Sequence, residues 1–302
     1  MRLSRKLAGG LVLLALSVLF WVVGPGCAAS GPDAGGKVLK VVASANFYGD
    51  VVAQIGGARV TVTSILSDPN VDPHLYESNV RDAKAIAAAD LAIENGGGYD
   101  DWMDKLLAAS PNSKRVLLKA YDIAGTKLPD NEHVWYSVAN IQQVAESVAA
   151  TLTKLDPSGR AAYQSNLQTF KKALDTIREK TAAIKAKHNG TPVGLTETIF
   201  LYQTGPLGLK VLTPLEFQKA VAEGEDPPAS AVISAENQVK AKKVKVLIYN
   251  KQTETKITAK LQAEAKAAGI PIVAVTETMP VGKNYQTWIL DQLNALEQAL
   301  GK

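Results

Sequence analysis

The sequence predicts an α/β protein: two strand-helix domains with mainly parallel sheets, joined by one long linker helix. Short β-branched runs alternate with amphipathic helical stretches from residue 38 onward, as expected for parallel strands covered by helices on both faces. A single helical stretch of about thirty residues, roughly 45 Å long, interrupts this alternation at mid-chain. The alternation then resumes to the C-terminus. Length agrees, since 302 residues suffice for two domains of ordinary size.

The N-terminus has the pattern of a secretion signal. Met1 to Lys6 is basic, Leu7 to Val23 is apolar, and Gly24-Pro25-Gly26-Cys27 precedes the polar Ala28 to Asp33. Residues 1–26 are therefore expected to be a signal peptide and 27–36 a tether. A lone cysteine at such a place resembles the lipobox of bacterial lipoproteins, in which the thiol is diacylated, although Gly24 stands where that pattern carries Leu. A signal anchor with an incidental Cys27 is the alternative, disfavoured because the apolar run is short for a span. Two acyl chains on Cys27 would hold the protein at a lipid membrane. Cys27 is the only cysteine, so no intrachain disulfide is possible.

The N-terminal domain is expected over 37–155. Val38 to Ser44 is a β-branched strand. A helix follows through Val51, Val52 and Ile55 and stops at Gly56-Gly57. Val60 to Leu66 is a second strand. A helix over Val80 to Ala89 leads into a strand at Leu91 to Glu94, and Gly96 to Gly98 breaks the chain before a helix at Asp101 to Ala109. Val116 to Leu118 is a short strand. The helix from Asn140 to Leu155 puts Ile141, Val144, Val148 and Leu152 on one face.

The linker helix is expected over 156–189, with Asp156 as N-cap and Pro157 as first residue. Tyr163, Leu167, Phe170, Leu174, Ile177 and Ile184 fall at helical spacing, and Asn189-Gly190 supplies the stop. Such a helix would set the spacing of the domains and leave little room for hinge motion. The C-terminal domain, 190–302, holds strands at Pro192 to Glu197, Leu209 to Leu212, Val244 to Asn250 and Pro271 to Glu277. Helices lie between, notably Thr255 to Ala268, and a last one runs from about Lys283 to Leu300.

The formal charge of +4 includes Arg2, Arg5 and Lys6. Without the signal peptide the chain carries about +1, which gives no reason to propose a nucleic-acid partner. Apolar residues at 46% support packed cores and argue against general disorder.

Three histidines can be weighed one by one. His188 ends the linker helix, where an imidazolium suits the helix dipole, and reads as structural. His74, in Asp72-Pro-His-Leu-Tyr-Glu77, and His133, in Asn131-Glu-His-Val-Trp135, lie in loops, where α/β proteins place ligand groups. From spacing alone the case for metal is weak, since two isolated histidines some sixty residues apart are more often hydrogen-bonded structural residues than ligands. Glu197 and Glu277 end two strands of the second block. A charge there needs a partner or a metal, unless each merely caps the helix that follows. Tyr76 and Trp135 flank the histidines and read as packing residues. Glu223 to Pro228 reads as a solvated loop, and Lys240 to Lys245 as a basic surface run.

The chain resembles the metal-specific solute-binding proteins of bacterial zinc and manganese ABC importers, called cluster A-I. Asp72-Pro-His-Leu-Tyr-Glu77 and Glu132-His-Val-Trp135 carry the likeness most specifically. Ser44 to Gly49, Ala89 to Gly96, Tyr99 to Leu106, Val193 to Glu197, Val244 to Asn250 and Val275 to Pro280 extend it in order along the mature chain. The resemblance implies four metal ligands, two from each domain: His74, His133, Glu197 and Glu277, the last where the family usually has aspartate.

Two imidazoles and two carboxylates suit a borderline or fairly hard divalent ion. Bidentate glutamates would offer six donors for manganese or iron, and monodentate ones four for zinc. No histidine-rich loop is present, since Ala120 to Glu132 contains no His, and this leans towards manganese. The implied function is a lipid-anchored, extracytoplasmic protein at the outer face of the cytoplasmic membrane. It would carry one Zn(II) or Mn(II) to the membrane permease of an ABC importer. It is expected to be a monomer, without catalysis and without nucleic acid. A metal-dependent hydrolase and a surface adhesin reusing the fold are the alternatives. The chain lacks the His-Glu-x-x-His helix of a zincin.

Overall fold

A computed structural model describes residues 37–69, 73, 76, 77 and 79–302. The expected signal peptide, Cys27 and His74 lie outside the described residues. No helix among the described residues is long and apolar enough to cross a membrane.

Two four-stranded sheets, each wholly parallel, form the two lobes. The first contains β1 (Leu39–Ala45), β2 (Val60–Leu66), β3 (Leu91–Glu94) and β4 (Val116–Lys119), in the order β2-β1-β3-β4. The second contains β5 (Pro192–Leu195), β6 (Lys210–Val211), β7 (Val246–Asn250) and β8 (Ile272–Val275), in the order β6-β5-β7-β8. Each sheet thus reverses direction of growth beside its first strand, the place where open parallel sheets build ligand sites at strand C-termini.

Burial follows position in the sheets. Central β1 is buried at six of seven residues, as a strand covered on both faces must be, whereas edge strand β2 is mostly half-buried. Helices cross over between the strands. The first lobe has α1 (Asn46–Gly56), α2 (Val80–Ala88), α3 (Asp101–Ala109), the single turn α4 (Ala120–Ile123) and α5 (Val138–Leu155). Asn79 caps α2 by accepting from the amides of Arg81 and Asp82, and Ser137 caps α5 through Asn140 N. Gly96, Gly97 and Gly98 all have positive φ, at 72°, 65° and 95°. Side chains with a Cβ rarely adopt three such residues in succession, which accounts for the glycine triplet.

The long helix α6 (Arg160–His188) is 29 residues, as predicted. Its start differs from the prediction. The chain first makes a 3-10 turn, Pro157–Gly159, and the Asp156 side chain caps neither segment. Its carboxylate accepts from Ser158 Oγ at 2.5 Å, Tyr163 OH at 2.8 Å and Arg59 at 2.8 Å, so it ties the helix entry to the segment before β2. Ser158 first, then Tyr163 and Arg59, hold this carboxyl down to about 2. The unfolded chain protonates near pH 4, so the stabilisation is present above that pH and is lost as pH falls through about 2. Asp156→Asn is expected to cost about 1–2 kcal/mol at pH 7 and to flatten the acid limb below about pH 4, as read from urea unfolding at several pH values.

The second lobe continues with α7 (Leu201–Leu207), α8 (Leu215–Ala222), α9 (Ala229–Lys240), α10 (Lys256–Ala267) and α11 (Tyr285–Leu300). Thr255–Thr258 and Asn284–Thr287 form reciprocal capping boxes on α10 and α11. The loop 223–228 is almost wholly exposed, and Lys240 to Lys245 lies at the surface except for Val244. His188 ends α6 with its carbonyl accepting from Thr191 N at 3.1 Å.

The lobes share one apolar core that runs from β1 and α1 through α5 and α6 to β5, β7, β8 and α11. Phe47, Trp135 and Trp288 stack through it, with ring centroids of 4.6 and 6.0 Å from Phe47. Directed bonds close the seam. Asn46 exchanges two hydrogen bonds with the backbone of Met279, Tyr285 OH donates to Trp135 O at 2.7 Å, and Tyr136 OH donates to Thr276 O at 2.7 Å.

Candidate metal centre

The seam buries three ionisable side chains drawn from both lobes. His133 comes from the first, Glu197 and Glu277 from the second, and they are 0%, 2% and 0% exposed. One ligand atom from each lies within 4.8 Å of the other two. His74 lies outside the described residues, so three of the four side chains singled out by sequence are brought together here.

Each is held by its own local structure. His133 precedes the 3-10 turn Val134–Tyr136, and its Nδ1 lies 3.0 Å from Asn131 Oδ1, which also accepts from His133 N at 3.0 Å. Asn131 Nδ2 donates across the seam to Thr198 O at 2.9 Å. A proton on Nδ1 shared with Asn131 makes Nε2 the basic nitrogen, the usual arrangement for an imidazole that binds through one nitrogen and is oriented through the other. Trp135 and Tyr99 stand beside the ring, with centroids at 5.1 and 6.3 Å.

The glutamates do not sit inside strands, as the sequence suggested. β5 stops at Leu195 and β8 at Val275, so both lie two residues past a strand C-terminus. Thr196 N still bonds Ile248 O at 3.0 Å, after which the chain turns and Glu197 Oε2 accepts from Ile199 N at 3.1 Å. Glu277 Oε1 accepts from Asn250 Nδ2 at 2.6 Å, while the backbone amides of Glu277 and Thr278 donate to Gln252 Oε1 at 2.8 and 3.0 Å. Capping alone therefore does not account for either residue. Glu197 spends one oxygen on the turn, and its Oε1 is buried without a hydrogen-bond partner among the described residues.

The electrostatics are unfavourable without a cation. Burial, with a smaller push from Glu132, drives the Glu197 carboxyl up to about 8. Glu277 is buried beside it, and like charges so close in a dry site oppose joint ionisation. A divalent cation would relieve both the burial and the repulsion, and one imidazole with two carboxylates is a donor set for a borderline to hard ion.

Asn131 orients His133, and Asn250 and Gln252 orient Glu277; none of the three was singled out from sequence. Asn131 carried a legible signal, an Asx residue two positions before a loop histidine. Asn250 carried a weaker one, a buried amide ending an apolar strand. Tyr76 and Trp135 do pack, Tyr76 against Trp102 at 4.4 Å and through its hydroxyl to Asp82.

Comparison with known proteins agrees with this architecture. The manganese ABC transporter substrate-binding lipoprotein PsaA of Streptococcus anginosus is 31% identical over 204 residues, 62% of this chain and 63% of that protein. The manganese-binding lipoprotein MntA of Halalkalibacterium halodurans is 27% identical over 179 residues, 58% of each chain. The chain thus matches about six tenths of the length of these relatives. The periplasmic zinc binding protein TroA of Treponema pallidum superposes with a TM-score of 0.73 at 20% identity, over 88% of this chain and 99% of that one, and so has the same fold. The sequence pattern of the family described as zinc-uptake complex component A, periplasmic, spans residues 41–299, and the chain belongs to that family.

Proposed function

We propose that the protein captures one divalent transition metal ion, Zn(II) or Mn(II), between its lobes and delivers it to the membrane permease of an ABC importer. The observation that carries this reading is the burial of His133, Glu197 and Glu277 from two lobes within 4.8 Å of one another. His74 is proposed as the fourth ligand. Four protein donors would fill a tetrahedral shell and leave no bound water to activate, so the site is read as one for carriage and not for turnover. Lipid attachment at Cys27 would place the protein at the outer face of the cytoplasmic membrane. Support comes from relatives named as manganese-binding lipoproteins and from a family named for zinc uptake.

The test is competitive titration of the metal-free protein with zinc and manganese, with the bound ion counted by elemental analysis. One ion per chain is expected, and the double variant His133→Ala, Glu277→Ala should retain none after gel filtration. Full stoichiometry in that variant would overturn the centre. X-ray absorption at the metal edge decides between four light donors and six.

A further inference from the structure

We infer that Glu132 is the carboxylate through which a divalent cation passes from solvent to the buried centre, an inference that rests on the metal-binding reading above. Glu132 stands between two buried residues, Asn131 and His133, yet its own side chain is 19% exposed. Its Oε1 lies 3.7 Å from His133 Nε2, the nitrogen that faces away from Asn131 Oδ1. The same side chain lines a cleft of about 370 Å³ between the lobes, with Gly97, Gly98 and Tyr121 on one wall and Ala222 and Glu223 on the other. One carboxylate thus borders both water and the imidazole of the centre.

The position is fixed and not accidental to a loose loop. Glu132 O accepts from Asn95 Nδ2 at 3.0 Å and from Val134 N at 2.6 Å. Asn95 is itself held by Tyr48 OH at 2.5 Å, and its amide donates to Asp100 Oδ2 at 2.7 Å. Asp100 also accepts from Gly96 N at 2.7 Å, so the glycine wall of the cleft and the Glu132 backbone share one set of anchors.

The separation has chemical meaning. Donors bound to one ion at about 2.1 Å can lie at most about 4.2 Å apart, so a carboxylate and an imidazole at 3.7 Å can hold the same cation. Glu132 keeps contact with water, so it can meet a hydrated ion without first being desolvated. His133 then takes the ion inward, towards Glu197 Oε1, which is buried and lacks a hydrogen-bond partner among the described residues. A negative charge at the mouth of a low-dielectric cleft also raises the encounter rate of cations. Asp130, at the same cleft, is engaged by Lys219 Nζ at 2.6 Å and contributes less.

The experiment is stopped-flow mixing of full-length metal-free protein with Mn(II), and separately Zn(II), for wild type, Glu132→Gln, Glu132→Asp and Glu223→Gln. Dissociation is measured by chelator chase, and circular dichroism checks the fold of each variant. Glu132→Gln is expected to lower the association rate constant roughly tenfold, with dissociation changed less than about threefold and one ion per chain retained. Glu132→Asp should recover most of the rate, and Glu223→Gln should change it less than about twofold. An association rate within about twofold of wild type in Glu132→Gln, or a loss confined to dissociation, overturns the entry role and leaves the centre standing. Failure of wild type to bind either ion removes the centre itself.

Discussion

Glu197→Gln is expected to make the metal-free protein more stable by about 1–3 kcal/mol and to weaken metal binding by about 100-fold or more. The two effects have one cause. Glu197 is 2% exposed, one oxygen accepts from the Ile199 amide, and the other has no hydrogen-bond partner among the described residues. A carboxylate in that position has lost its water and faces Glu277 and Glu132 as further negative charges. Glutamine has nearly the same shape and no charge, and its amide hydrogens can donate to those neighbouring carboxylates. With its carboxyl pushed up to about 8, Glu197 must take up a proton as the metal-free chain folds near pH 7, a cost that neutral glutamine avoids, whereas removing an ordinary cap costs about 1 kcal/mol. The sign of the change in metal-free protein therefore separates a ligand from a cap. Urea unfolding of metal-free wild type and variant measures the first effect, and competitive titration measures the second. A variant that is less stable without metal and binds metal as wild type does would show Glu197 to be a cap.

How much of this was visible in the sequence depended on whether a feature is local. β1 and the long helix α6 were legible because five consecutive apolar or small residues, Val41 to Ala45, and six apolar residues at helical spacing leave few alternatives. The parallel sheets followed from alternation alone. The role of Asp156 was misread because its partners, Arg59 and Tyr163, lie 97 and 7 residues away, and pairing at that range outweighs a good capping sequence. The helix α7, Leu-Tyr-Gln-Thr-Gly-Pro-Leu, has little intrinsic propensity with Gly205 and Pro206 in it. It is held by contacts: Gln203 donates to Tyr136 O at 2.5 Å, and Tyr202 OH donates to Asn131 O at 2.9 Å. The centre followed the same rule. His133, Glu197 and Glu277 could be named one by one as polar groups at strand and loop boundaries. Their convergence, and the amides of Asn131, Asn250 and Gln252 that aim His133 and Glu277, exist only once two sheets are docked.

That docking predicts the second large effect. Trp135→Ala should destabilise the protein by about 3–5 kcal/mol and weaken metal binding as well, although the indole is no ligand. Trp135 is fully buried, stacks on Phe47 at 4.6 Å and 19°, and packs against Tyr99 at 4.6 Å and the His133 ring at 5.1 Å. Its carbonyl receives Tyr285 OH from α11 at 2.7 Å, so one residue contacts the centre, the first lobe and the second. Truncation leaves a cavity where three aromatic rings and an imidazole now meet, and close-packed surroundings collapse only partly into such a space. His133 then loses one wall that fixes its ring, and a ligand free to turn binds less well. Trp135→Phe separates packing from polarity. Indole Nε1 has no hydrogen-bond partner among the described residues, so a phenyl ring that keeps the stack should cost no more than about 1.5 kcal/mol. The shared core further implies that both lobes unfold in one transition, for wild type and for Trp135→Phe alike. Calorimetry and fluorescence from Trp102 in the first lobe and Trp288 in the second, present in both proteins, should give coincident midpoints in urea and heat. Two separated transitions in wild type would mean that the seam bonds of Asn46, Tyr136 and Tyr285 are too weak to couple the lobes, and the centre would then have to assemble around the ion.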